Sequence, residues 1–134
     1  MIPLDEVKIK IKDLAEKYHL SLVALFGSQA KGRAIKESDI DIGVFRKSGL
    51  TLDEQAVLNK EFSESFKNNN IDIKIISPNN PLLMYNILKH GKILYEKERG
   101  LADRLRLYSW KLAAESKTFR DRSFSSLKHK IASL

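Results

Sequence analysis

Apolar positions in this chain switch between two periods, and the switches divide it into elements. Leu4, Val7, Ile11, Leu14 and Tyr18 recur at helical spacing, with Lys8, Lys10, Lys12 and Lys17 largely elsewhere, which predicts an amphipathic helix over 4–18. An apolar run then predicts a strand at Ser21–Phe26, and a second strand follows at Asp39–Phe45, where Ile40, Ile42 and Val44 alternate with Asp39 and Asp41. Between them the segment from Lys31 to Ser38 is polar and reads as a loop. After the turn Arg46-Lys47-Ser48-Gly49, the stretch Thr51-Leu52-Asp53-Glu54 is a capping box that opens a helix with Leu52, Ala56, Phe62 and Phe66 on or near one face; Asn68-Asn69-Asn70 ends it.

A third alternating run, Ile71–Ile76, leads to a turn in which Asn80 caps and Pro81 starts a helix that stops at His90-Gly91. A short strand, Lys92–Tyr95, completes the sheet. From Glu98 to about Arg120 a longer helix carries Leu101, Leu105, Tyr108, Leu112 and Phe119 on one side and Leu107, Trp110 and Ala114 on another. Phe124, Leu127, Ile131 and Leu134 extend helical spacing toward the end. Strands alternating with helices predict an α/β fold, a mixed sheet flanked by helices with a C-terminal helical extension. The expected division is a domain over 1–97 and a basic extension over 98–134.

The chemistry gathers in Leu22–Phe45. Asp39 and Asp41, two apart on a strand, project to one face. Two like charges side by side repel each other until a hard divalent cation sits between them, and Mg2+ binds through one or two protein carboxylates plus substrate phosphates. Gly27 and Ser28 end the preceding strand; backbone N–H groups at such a strand-to-helix turn attract anions, and glycine permits close approach. Lys31 and Arg33 add positive charge nearby. Gly27 and Gly32 echo P-loop spacing, but Arg33-Ala34 stands where Lys and Ser or Thr are needed, so a P-loop is excluded. Lys74 shares a strand face with Asp72, where it either neutralises acidic neighbours or is a plain surface lysine.

A strand, Gly27-Ser28, ten residues, then Asp39-x-Asp41, with Asp72 in a later alternating run, resembles the pattern of the DNA polymerase β-like nucleotidyltransferases, and among them the minimal nucleotidyltransferases (MNT). The resemblance covers roughly residues 4–96. It implies that Gly27 and Ser28, with Lys31 and Arg33, hold the nucleotide's phosphates, and that Asp39, Asp41 and Asp72 are catalytic and bind Mg2+, two ions in all. It further implies an antitoxin of a HEPN/MNT toxin–antitoxin pair, transferring AMP from ATP to a tyrosine hydroxyl of a HEPN ribonuclease in a hetero-oligomer.

Composition narrows the alternatives. The 134 residues suit one compact domain and lack cysteine, which excludes disulfides, thiolate zinc sites and cysteine nucleophiles. No apolar signal core opens the chain and no run approaches the ~20 residues that span a bilayer, so a soluble cytoplasmic protein is expected. His19, His90 and His129 match no metal spacing. Net charge is +7, of which +5 falls from Glu98 onward. That balance alone suits nucleic acid, an acidic protein or solubility equally, but no nucleic-acid motif accompanies it. A pure binding antitoxin remains the rival reading, since Leu107 and Trp110 form a second apolar stripe suited to a partner. A nucleotidyltransferase for a small-molecule hydroxyl is the other; the 37 residues of the extension leave little room for its substrate domain.

Overall fold

The computed structural model describes residues 4–27 and 40–115. The elements are α1 (Leu4–Lys17), β1 (Leu22–Phe26), β2 (Ile40–Phe45), α2 (Leu52–Phe66), β3 (Ile71–Ile75), α3 (Pro81–His90), β4 (Lys92–Glu96) and α4 (Leu101–Glu115). They follow the predicted order of helices and strands. The four strands form one mixed sheet in the order β3-β2-β1-β4. β1 pairs antiparallel with β2 and β4, while β2 pairs parallel with β3, a pairing that requires a crossover, here α2.

Alternation along β1 explains the two layers. Val23 faces a cluster with Ile42, Val44, Ile71 and Ile73 of the sheet, Ile11 and Leu14 of α1, and Leu58 and Phe62 of α2. Leu22 and Ala24 face the other side, against Met84, Ile87 and Leu88 of α3 and Ala102 of α4. Each fully buried Phe, Leu or Ile, such as Phe62 or Ile87, contributes about 2–3 kcal/mol of burial.

The local signals behave as their chemistry requires. Thr51 Oγ1 accepts from Glu54 N–H at 3.1 Å and Glu54 Oε1 accepts from Thr51 N–H at 3.1 Å, closing the capping box. Asn80 caps α3 with Pro81 in its first turn. Glu96, at the end of β4, accepts from the N–H groups of Gly100 (3.3 Å) and Ala102 (3.0 Å), so a carboxylate from the sheet fixes the start of α4 and complements its dipole.

Two helix faces differ from the pattern. In α2, Leu52 and Ala56 are exposed and the buried residues are Leu58 and Phe62. The inward face also carries Gln55 and Asn59, whose amides serve the sheet: Asn59 Oδ1 accepts from Ile73 N–H (3.1 Å) and Gln55 Nε2 donates to Ile73 C=O (2.6 Å). β3 is an edge strand, so these bonds fill positions that a fifth strand would otherwise take. In α4 the buried residues are Ala102, Ser109 and Ala113, and Tyr108, expected on the docked side, is exposed. Small residues let α4 approach α3 closely, with Ser109 Oγ donating to Arg106 C=O and Arg106 Nε donating to Leu88 C=O at the end of α3. Leu107 and Trp110 are exposed, as their stripe predicts. Phe119 and the final segment with Phe124, Leu127, Ile131 and Leu134 lie outside the described residues.

Candidate active site

The sheet brings three of the predicted site residues together at one end, where β1 finishes and β2 and β3 begin. Phe26, the last residue of β1, is the register partner of Asp41. Gly27 follows with φ +78°, a left-handed conformation that turns the chain out of the strand and favours glycine. A β-carbon at Gly27 would collide with Asp41 Oδ2 and lie 3.3 Å from its Cγ. The Asp41 carboxylate therefore rests directly against the turn that the sequence assigns to phosphates.

On its other side, Asp41 is the register partner of Asp72 in the parallel β2–β3 pair. Adjacent strands run about 4.8 Å apart, and register partners point to one face, so the two carboxylates are within reach of a single cation. The face is that of α3, since Gly43, two residues after Asp41, lies beneath Ile87. Asp72 is exposed at the edge of the sheet, and Lys74, on the same face, places Nζ 3.3 Å from Asp72 Oδ2.

Asp39, Ser28, Lys31 and Arg33 lie outside the described residues. Among the described residues no group of three His, Cys, Asp or Glu side chains comes together as a metal site, and two of the three predicted aspartates, Asp41 and Asp72, are described. Their chemistry fits Mg2+: hard oxygen donors in number and spacing that leave coordination positions for phosphate oxygens. The glycine cradle fits as well, because any side chain at position 27 would occupy the space beside Asp41. Gln55 and Asn59, which hold β3 and so Asp72 in place, carried no sequence motif; the signal was two amides at i and i+4 on a face otherwise apolar.

The opposite end of the sheet has different character. A cavity of about 290 Å³ there is lined by Phe45, Leu101 and Leu105 with Lys47, Lys97 and Arg104, and brings none of the predicted site residues together. Nearby, Arg46 donates to Gly49 C=O (2.9 Å) and Tyr18 C=O (3.2 Å) and pairs with Glu54 at 2.6 Å, holding that carboxyl below the ordinary glutamate value. Glu61 is held low in the same sense by the Tyr18 hydroxyl (2.8 Å), then by Lys17 (3.2 Å). Among the described residues no helix is long and apolar enough to cross a membrane.

Comparison with known proteins adds to this geometry. The sequence profile of the family described as "Polymerase beta, Nucleotidyltransferase" matches residues 9–100. Comparison with curated proteins gives no match. Among solved structures, a chain of a toxin–antitoxin complex with AMP-PNP superposes with a TM-score of 0.75 at 20% identity, over 90% of this chain and 98% of that one. A chain of the tri-AMPylated Shewanella oneidensis HEPN toxin in complex with MNT antitoxin gives 0.71 at 17% identity, over 94% and 99%. A chain of an MntA-HepT toxin–antitoxin complex gives 0.65 at 18%, over 90% and 96%. At these identities the likeness speaks for the fold.

Proposed function

We propose, from the premise that this chain belongs to the polymerase beta nucleotidyltransferase family, that it is a Mg2+-dependent antitoxin which transfers AMP from ATP to a tyrosine hydroxyl of a partner HEPN ribonuclease. The observation that carries this reading is the register pairing of Asp41 with Asp72 beside the Gly27 turn. The solved complexes support it by their contents: one holds AMP-PNP, and another pairs an MNT antitoxin with an AMPylated HEPN toxin.

In this reading Asp39, Asp41 and Asp72 hold the metal, which when bound polarises the α-phosphate and lowers the pKa of the attacking hydroxyl. Gly27 follows β1 at the turn that would meet the triphosphate, and the family pattern assigns Ser28, Lys31 and Arg33 to the same phosphates. Asp72, on the edge strand and exposed, stands where a hydroxyl on a folded acceptor can reach it and can take the hydroxyl proton. Binding energy comes from elsewhere on the surface. The exposed Leu107 and Trp110 of α4 supply an apolar anchor for the partner.

That same anchor favours a second reading, stoichiometric neutralisation without transfer. The test is transfer of label from α-labelled ATP to the protein encoded beside this one, with Mg2+, comparing wild type and Asp41→Asn. Label on the neighbour that disappears in the variant supports the enzyme. A stable complex that takes no label from any of the four nucleotides supports the grip.

A further inference from the structure

β3 presents Asp72 and then Lys74 on one face, and the lysine ammonium sits 3.3 Å from Asp72 Oδ2. The register makes this possible. Asp72 has Asp41 as its partner on β2, and Lys74 has Gly43, so no side chain stands between the lysine stem and β2. None could be added, because a β-carbon at Gly43 would lie 2.9 Å from Ile87 Cγ2 and 3.1 Å from Ile76 Cδ1. The ammonium is tethered two residues from a carboxylate whose neighbour is another carboxylate. It therefore supplies beside Asp72 the positive charge that a divalent cation would bring.

We propose that Lys74 is a built-in counter-cation that competes with metal at Asp72, making metal binding dependent on nucleotide. Without nucleotide, an incoming cation must displace the ammonium and then sit beside it. With a nucleoside triphosphate present, the phosphates offer the ammonium another anion, and Asp72 is released to the metal. Metal and nucleotide then strengthen each other's binding by the same factor. Lys74 is thus a positioning residue that acts through Asp72. This inference rests on the reading that Asp41 and Asp72 take a divalent cation.

The experiment is Mn2+ binding in the absence of nucleotide, read from the electron paramagnetic resonance signal of free Mn2+. The proteins are wild type, Lys74→Ala, Lys74→Gln, Lys74→Arg and Asp72→Asn, each checked for folding by circular dichroism. Removing the charge should tighten Mn2+ binding by up to about 30-fold at low salt, the factor that a unit charge some 4 Å from a divalent cation is worth in a water-like dielectric. Lys74→Arg should bind as wild type does. Unchanged or weaker binding in both Lys74→Ala and Lys74→Gln, or tightening in Lys74→Arg equal to theirs, overturns the proposal. Asp72→Asn separates it from its premise: loss of Mn2+ binding there with no change in Lys74→Ala sinks the counter-cation alone, whereas wild-type binding in Asp72→Asn sinks the metal site as well.

Discussion

Asp41 and Asp72, distant in the chain, are register partners on adjacent parallel strands. Replacing Asp72 by Asn keeps the shape and removes one charge from the pair. Transfer to the partner should fall by roughly 100- to 1,000-fold, the several kcal/mol that a metal contributes to transition-state stabilisation. The melting temperature should change little, since relief of the like-charged neighbour is offset by loss of the exposed Lys74 pair. A parallel loss of activity and melting temperature would mark Asp72 as structural instead.

Gly27 is held at φ +78° against the Asp41 carboxylate. Gly27→Ala should destabilise the fold by about 1–2 kcal/mol from the left-handed conformation alone, and displace Asp41 besides. Equilibrium denaturation and label transfer, measured together, should both fall.

Asn59 accepts the Ile73 N–H at the free edge of β3. Asn59→Ala leaves that donor without its protein partner and should cost about 1–3 kcal/mol in urea unfolding. It should also raise aggregation, because the edge becomes available to another strand.

Glu54 and Glu61 have carboxyls held below the ordinary value of 4.5 by Arg46 and by Tyr18 with Lys17. A carboxyl lowered on folding stabilises the native state above its unfolded value, and that contribution is lost as pH falls through the folded value. Stability should therefore be level near neutrality and decline below about pH 4.5. Glu61→Gln should flatten that decline in melting curves taken against pH.

Trp110 and Leu107 are exposed, at 54% and 58%. Trp110→Ala should leave the melting temperature unchanged and weaken the complex with the partner by at least about 30-fold, as loss of an aromatic anchor does. Calorimetric titration of the neighbouring gene's product would measure it.

The order of elements was legible because each boundary carries local chemistry: Thr51 with Glu54, Asn80 with Pro81, and the period-two run around Asp41. The aspartate cluster was legible through the family-like spacing, while the register that unites Asp41 and Asp72 is a property of the sheet. What sequence reading missed lies where polar or small residues do a core residue's job. Gln55 and Asn59 broke the apolar stripe of α2 because their partners are backbone groups of β3, invisible to periodicity. Ala102, Ser109 and Ala113 bury the tail helix by closeness of approach, which leaves the bulkier Tyr108 outside despite its place on the apolar stripe.

Among the described residues, β3 touches the rest of the sheet through β2 alone. One of the two acidic strands is thus the sheet's edge, yet Ile71 and Ile73 run from it into the core with Val23, and α2 clamps its outer rim through Gln55 and Asn59. Opening β3 would empty part of that core, so on heating the loss of transfer activity should coincide with the global unfolding seen by circular dichroism rather than precede it.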